Sequence, residues 1–193
     1  MRASPALSGA AVLCAALLSG CVAAMLGAAT VTTIDVAHER RSLGAYIDDG
    51  AIELRVQQYL LRDREVRQQT HLNATSMNGI VLLTGQARSA AVKNRVIEYI
   101  QGIDGVRQIV DETEIAGKTG LMSRANDGWL TTKVKTRLYA STGLDANRVK
   151  VVSEHGTVYL MGLVTRAEGA QATDIARRID GVVRVVKVFE YVD

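Results

Sequence analysis

The only tryptophan of this 193-residue chain stands at the start of a segment rich in cations. Residues 128–144 contain Trp129, Lys133, Lys135 and Arg137, and they contain no aspartate or glutamate. An indole ring settles at the headgroup level of a bilayer, where lysine and arginine meet lipid phosphates. Each such cation contributes on the order of 1 kcal/mol of attraction to an anionic surface. The segment therefore predicts a site that binds anionic phospholipid.

The direction in which Trp129 points follows from the period of the apolar residues around it. Leu130, Val134 and Leu138 recur every four residues, which predicts a helix with these side chains on its buried face. Trp129 lies about 140° from the centre of that face. Two interpretations remain open at this point. Trp129 contacts a membrane, or it packs against the linker or the first of the two repeats described below.

The residues that most often perform catalysis show no suitable spacing. The three histidines, His38, His71 and His155, are isolated from one another in the sequence. There is no histidine pair four residues apart, no Cys/His cluster with metal-ligand spacing and no Gly-x-Ser-x-Gly motif. We therefore expect a binding or scaffold protein that is not an enzyme and has no metal and no cofactor.

The first 21 residues have the pattern of an export signal that ends in a lipid-modified cysteine. Met1-Arg2 is a positive start, residues 6–18 are uncharged and mostly apolar, and Leu18-Ser19-Gly20-Cys21 follows. Leucine three residues before a cysteine, with small residues between, is the lipobox pattern. It predicts a signal peptide over residues 1–20, lipidation of Cys21 and a tether over residues 21–44. Because small apolar residues continue over residues 22–31, the alternative is an uncleaved membrane anchor.

Charge and cysteine content limit the remaining function classes. The formal net charge is +3 and the isoelectric point is about 9.0, which is too weakly basic to indicate a nucleic-acid partner. Cys14 lies in the predicted signal peptide, so Cys21 would be the sole cysteine of the mature chain. A disulfide is therefore not expected.

The chain repeats itself at an offset of 76–78 residues. One pair of matching segments is Gly79-Ile80-Val81-Leu82-Leu83-Thr84-Gly85 and Gly156-Thr157-Val158-Tyr159-Leu160-Met161-Gly162. Asp49-Gly50 matches Asp127-Gly128 in the same way. Ile103-Asp104-Gly105-Val106 matches Ile179-Asp180-Gly181-Val182. This regularity predicts one small module used twice.

Each module reads as helix, strand, strand, helix, strand. We predict an α+β fold of two tandem αββαβ domains, each a three-stranded sheet covered by two helices. The predicted boundaries are 45–115 for domain 1, 116–125 for the linker and 126–193 for domain 2. Asp48 or Asp49 is expected to cap the first helix. Asn78-Gly79 and, at the matching place in the second module, His155-Gly156 are expected to be the hairpin turns. Gly85 and Gly162 are expected to end the second strand of each hairpin.

This order of elements resembles the BON domain family. The resemblance rests on the Gly-x-Val-x-Leu-x-Gly hairpin strand and on the Gly-Val that precedes the last strand, and it covers about residues 45–115 and 124–192. With the lipobox, the chain resembles outer-membrane lipoproteins that carry two BON domains. Stretches that match such proteins include 126–134 and 159–165.

The resemblance implies a place and a function. Such proteins bind anionic phospholipid through the first helix of the second domain, and the matched residues are Trp129, Leu130, Lys133 and Lys135. Arg137 adds charge to this set. The implied protein sits on the periplasmic face of the outer membrane, gathers where anionic lipids gather, such as division sites, and supports envelope integrity. The alternative is a scaffold that docks on the outer-membrane protein assembly complex, with Trp129 as a hot spot.

Overall fold

Apart from one short additional helix in the first module, the helices and strands follow one another in the predicted order. The structure, a computed structural model, describes residues 40–117 and 121–193. The predicted signal peptide, Cys21 and nearly all of the predicted tether lie outside these residues.

Each domain contains one three-stranded sheet. Domain 1 consists of α1 (Leu43–Arg62), α2 (Arg64–Gln69), β1 (Thr70–Met77), β2 (Ile80–Ala87), α3 (Ala90–Gln101) and β3 (Gln108–Ile115). Domain 2 consists of α4 (Leu121–Tyr139), a 3-10 turn (Ala146–Arg148), β4 (Lys150–Glu154), β5 (Thr157–Val164), α5 (Arg166–Ala176) and β6 (Arg184–Tyr191). In each sheet an antiparallel hairpin is extended by a third strand that runs parallel to the central one. The predicted α+β fold of two tandem αββαβ domains is confirmed.

Helix α1 begins earlier than predicted. It starts at Leu43, because the Ser42 hydroxyl accepts a hydrogen bond from the Ala45 amide at 3.1 Å and caps the helix. The prediction that Asp48 or Asp49 caps this helix is therefore wrong.

Two other helices also differ from prediction. The short helix α2 was not predicted; its cap is Asp63, which accepts a hydrogen bond from the Val66 amide at 2.9 Å. Helix α4 begins at Leu121, so the last part of the predicted linker, residues 116–125, is helical.

The apolar residues that recur every four positions form the core of each domain. In α4, Leu130, Val134 and Leu138 are at most 1% exposed and pack with β4, β5 and α5 residues in one cluster. In α1, Ile52 and Val56 are at most 2% exposed and pack against residues of β2 and α3. Each fully buried aliphatic side chain of this kind stabilises the fold by roughly 1.5–3 kcal/mol.

The two sheets pack against each other through the faces that the helices leave free. Leu82 from β2 joins Tyr159 and Met161 from β5 in a third buried cluster, completed by Met77 and Val188. Neighbouring residues on β2, such as Val81, point instead into the domain's own core. The central strands are therefore buried on both faces, which explains why they are apolar runs without polar alternation.

Polar contacts surround this sheet-to-sheet cluster. Lys150 of domain 2 donates to Glu53 at 2.7 Å and to the Ser76 carbonyl at 3.1 Å in domain 1. Arg107 of domain 1 pairs with Glu190 of domain 2 at 3.1 Å. These contacts set the register in which the apolar faces meet.

The glycines of the two central strands lie inside the strands and do not end them as predicted. Strand β2 continues beyond Gly85 to Ala87, and β5 continues beyond Gly162 to Val164. Gly85 has a φ of +106°, and a Cβ there would overlap with the His71 carbonyl oxygen. At Gly162 a Cβ would overlap with the Arg148 carbonyl oxygen. Both positions need glycine because a neighbouring backbone passes too close for a side chain.

A buried aspartate joins the first helix of each domain to its hairpin turn. Asp49 is 3% exposed and accepts hydrogen bonds from the Asn78 amide at 2.7 Å and the Gly79 amide at 2.9 Å. Asp127 accepts from the His155 and Gly156 amides in the same way, at 3.0 and 3.1 Å. The repeated Asp-Gly pair of the sequence thus holds the hairpin against the helix.

The surroundings of Asp49 favour its ionised form. Burial opposes ionisation, but the hydrogen bonds from Gly79, Ser76 and Asn78 outweigh it, with a further contribution from Arg41 at 2.7 Å. The result is a pKa for the Asp49 carboxyl below its usual range. A carboxyl whose pKa is lower in the folded state stabilises the protein above its unfolded-state pKa, and that contribution is lost as the pH falls through the folded-state pKa.

Asp49→Asn is therefore expected to destabilise the protein by about 2 kcal/mol at pH 7, because charged hydrogen bonds to two turn amides and Arg41 are lost. The difference from wild type should begin to shrink as the pH falls below about 4, the usual pKa of the unfolded carboxyl, and should be lost only as the pH falls through the lower folded-state pKa. Thermal melts of both proteins at pH 7 and pH 3 measure this. An unchanged melting temperature at pH 7 would show that the asparagine amide serves the turn equally well.

Candidate membrane interface on helix α4

Helix α4 presents its tryptophan to solvent. Its buried face is occupied by Leu130, Val134 and Leu138, so Trp129 falls on the opposite side and is 57% exposed. The matching residue of α1 is Ala51, which is also exposed. Domain 1 therefore folds with a small side chain at this position, which indicates that the indole of Trp129 is not required for packing.

Lys133 lies one helical turn after Trp129 and contacts its ring. The Lys133 Nζ is 3.9 Å from the centroid of the indole and 3.3 Å from the Asp180 carbonyl oxygen, to which it donates. A cation over an aromatic face is attracted by the ring quadrupole, by about 0.5–1 kcal/mol at an exposed site. This contact holds the ammonium group beside the indole.

The other two predicted cations are also exposed and lie on either side of the tryptophan. At 100° per residue, Lys133 and Arg137 fall on one side of Trp129 and Lys135 on the other. Both Lys135 and Arg137 are exposed. The exposed surface of α4 is therefore a ridge with an aromatic residue at its crest and cations on both flanks.

Two threonines near the tryptophan form hydrogen bonds from their hydroxyl groups to backbone carbonyls of the same helix. Thr132 donates to the Gly128 carbonyl at 3.1 Å, and Thr136 donates to the Thr132 carbonyl at 2.9 Å. Because these hydroxyls already have partners, placing them against lipid headgroups does not leave them without a hydrogen bond. The surface is therefore compatible with partial removal from water.

A groove runs beside the ridge and is lined by a further cation, Arg178, that the sequence did not indicate. It has a volume of about 280 Å³ and brings Lys133 and Arg137 of α4 together with Arg178, Ile179 and Asp180 after α5. Arg178 also pairs with Asp174 at 2.6 Å. No signal near Trp129 in the sequence points to Arg178, because the two are joined only through the packing of α5 on α4.

Leu130 does not belong to the exposed surface. It is 1% exposed and lies in the core of domain 2, so its inclusion among the phospholipid-contacting residues does not agree with the structure. The residues that the structure does bring together at the surface are Trp129, Lys133 and Arg137, with Lys135 on the far flank.

Trp129 is also absent from the contact between the domains. The buried cluster between the two sheets consists of residues from β1, β2, β5 and β6, with partly buried neighbours from β3 and β4. The exposure of Trp129 and this separate cluster together show that the indole is not part of the buried contact between the two domains.

The described part of the chain was predicted to hold no metal site. Within residues 40–117 and 121–193, no three histidine, cysteine, aspartate or glutamate side chains are grouped so that they could hold a metal ion. Over the same ranges, the helices are all too short or too polar to traverse a bilayer.

Comparison with known proteins identifies the family. The BON domain model matches residues 48–117 and again 126–193. The chain is 38% identical over 176 residues to the outer membrane lipoprotein DolP of Haemophilus influenzae, covering 91% of each protein. It is 35% identical to the 21 kDa hemolysin of Actinobacillus pleuropneumoniae, covering 79% of this chain and 78% of that protein. It is 28% identical to osmotically-inducible protein Y of Escherichia coli, covering 72% and 71%.

The chain therefore belongs to the BON domain family and carries two copies of the domain. The similarity to DolP over nearly the whole length supports a DolP-like lipoprotein of the outer-membrane envelope. This agrees with the lipobox at Cys21, although that residue lies outside the described part of the structure.

Proposed function

We propose that this protein is a non-enzymatic lipoprotein, anchored in the outer membrane through acyl chains on Cys21, that binds anionic phospholipid with the exposed ridge of α4. The observation that carries the proposal is the 57% exposure of Trp129 with the Lys133 ammonium 3.9 Å from its ring. Lys135 and Arg137 supply further positive charge on the same helix. The protein would face the periplasm and support envelope integrity.

The expected binding free energies indicate that the acyl anchor and helix α4 have different roles. Three interfacial cations contribute roughly 3 kcal/mol, and partial burial of an indole about 2 kcal/mol. A total near 5 kcal/mol corresponds to a Kd in the upper micromolar range, which is too weak to hold the protein on a membrane alone. The acyl chains would supply attachment, and the helix would select the lipids among which the anchored protein sits. Enrichment at division sites would follow wherever anionic lipids gather.

Sedimentation with liposomes tests this proposal. The probe is the chain of residues 21–193 with Cys21→Ser, so that no acyl chain inserts, mixed with vesicles of zwitterionic lipid and increasing phosphatidylglycerol. We expect binding that rises with the anionic fraction and falls steeply between 0.1 M and 1 M salt, because the Debye length shortens from about 10 Å to about 3 Å. Equal recovery on neutral and anionic vesicles would contradict the proposal.

The exposed tryptophan also supports a second candidate, a protein partner such as the outer-membrane protein assembly complex. Tryptophan and arginine are the residues most often found at interface hot spots. Under this alternative the chain would show no preference for anionic vesicles, and Trp129 variants would instead lower the amount of the assembly complex recovered with the protein from detergent-solubilised envelopes.

A further inference from the structure

Helix α1 carries an apolar stripe on its outer surface that no residue of the described ranges, 40–117 and 121–193, covers. Leu43, Ile47, Leu54 and Leu61 are each 53–60% exposed. They are spaced four and seven residues apart, with Gly50 completing the pattern, so they line one side of the helix opposite the buried Ile52 and Val56. We name these five residues, Leu43, Ile47, Gly50, Leu54 and Leu61, the α1 stripe.

The stripe is specific to domain 1. With the offset of 78 residues that relates Asp49 to Asp127, the positions of Ile47, Leu54 and Leu61 correspond to Ala125, Thr132 and Tyr139 in α4. The same side of α4 carries Trp129 and the threonines described above. The outer faces of the two first helices have therefore diverged, one toward an aromatic residue with cations and the other toward an aliphatic seam.

We propose that the α1 stripe is a homodimer interface, in which the α1 helices of two copies of this chain pack antiparallel. A strict repeat of apolar residues at positions 47, 54 and 61 is the pattern that lets one helix interlock with another. An antiparallel pair centred near residue 52 sets Leu43 of each copy level with Leu61 of the other. It also sets Leu54 over Gly50, where an added side chain would meet no protomer atom within 4 Å.

In this arrangement, the charged residues beside the stripe of one copy come level with residues of opposite charge in the other copy. Small or neutral residues, Gly44, Ala51 and Gln58, border one side of the stripe, and Asp48 and Arg55 lie just beyond them. No described residue forms a salt bridge with Asp48 or Arg55. In the antiparallel pair, Asp48 of one copy comes level with Arg55 of the other, twice by symmetry. A membrane surface of anionic lipid would instead place Asp48 against like charge.

The size of the interface indicates a dimer that forms on the membrane. A helix of 20 residues is about 30 Å long and 10 Å wide, so a pair buries on the order of 600 Å². Stable complexes in solution bury about 1,200–2,000 Å². Confinement to one membrane raises the effective concentration of the second copy and favours a contact that is weak in solution.

Cysteine cross-linking of the full-length protein in isolated envelopes tests both the dimer and its direction. Ala51→Cys, near the two-fold axis, should form cross-linked dimers with a short bifunctional maleimide. Gly44→Cys and Gln58→Cys should each remain monomeric when expressed alone, because about 14 residues, or roughly 20 Å, separate them from their own copies. Expressed together, Gly44→Cys and Gln58→Cys should cross-link. Wild type gives the background from Cys21.

Two controls complete the test. Leu54→Glu in the Ala51→Cys background should reduce the cross-linked fraction at least tenfold, whereas Val183→Glu, at an apolar residue of domain 2 that is 84% exposed, should leave it unchanged. Cross-linking of Gly44→Cys to itself would indicate parallel helices and overturn the proposal. Absence of any cross-link in the Ala51→Cys protein would also overturn it, and protection of that cysteine from a water-soluble thiol reagent would then identify lipid as the occupant.

Discussion

Trp129→Glu is expected to abolish sedimentation of residues 21–193 with anionic liposomes and to leave the melting temperature unchanged. The substitution removes the apolar area at the crest of the α4 ridge and places a negative charge beside anionic headgroups. It also turns the Lys133 ammonium toward the new carboxylate and away from lipid. Folding should survive because Trp129 is 57% exposed and the buried residues of α4 are untouched. Combined loss of the indole and repulsion of the new charge predicts a decrease in affinity of at least about 100-fold, or roughly 3 kcal/mol.

Ala51→Glu is the matched control. Ala51 occupies the position of Trp129 in the first helix of domain 1 and is likewise exposed, so it receives the same new charge away from the proposed lipid surface. Its liposome binding should stay near wild type, because the untethered chain lacks the acyl anchor that would confine two copies to one membrane and favour the α1 contact. Lys133→Glu should weaken binding and reduce its dependence on salt. If Trp129→Glu lowers the melting temperature by many degrees, Trp129 has a structural role and the lipid surface must be sought elsewhere.

Gly85→Val is expected to destabilise the protein by at least about 3 kcal/mol. Valine is strained at a φ of +106°, and its Cβ would overlap with the His71 carbonyl oxygen of the paired strand. Strands β1 and β2 would have to separate at that point, which would also disturb the sheet face that packs on domain 2. For a protein of this size, 3 kcal/mol corresponds to a decrease in melting temperature of roughly 6–12 °C.

Gly162→Val should have a smaller but clear effect, because a Cβ there overlaps with the Arg148 carbonyl oxygen while the φ is not in the left-handed region. Gly128→Ala is the control. Gly128 lies within α4, where an added Cβ meets no atom within 4 Å, so this change should be neutral or stabilise the protein by up to about 1 kcal/mol. Melting temperatures of the three variants measure the series. Shifts of less than two degrees for Gly85→Val would show that the strands can adjust at little cost.

Features that depend on neighbours in the sequence were predicted well. The turns Asn78-Gly79 and His155-Gly156 have φ values of 51° and 75°, and 49° and 73°, as a tight two-residue hairpin turn requires. The buried face of α4 follows from the four-residue spacing of Leu130, Val134 and Leu138, because a helix of 3.6 residues per turn places them on one side. The outward direction of Trp129 follows from the same rule.

Features that depend on distant residues were not predicted. Asp49 is read from the sequence as a helix cap, yet its partners are turn amides about 30 residues away. Gly85 is read as a strand end, yet it is required by the approach of the β1 backbone. Arg178 reaches the groove beside Trp129 only through the packing of α5 on α4.

The amino-acid sequence is sufficient to predict that the chain is one module used twice, the order of the elements in each module apart from α2, and the side of α4 that carries the tryptophan. These properties arise from turn conformations and helix periods, and both act over a few residues. The folded structure was needed to show that the two sheets pack face to face, that Asp49 and Asp127 hold the hairpin turns, and that α1 leaves an aliphatic stripe exposed. These depend on which surfaces meet after the chain has folded, because burial and hydrogen-bond partners are properties of contacts between segments far apart in the chain.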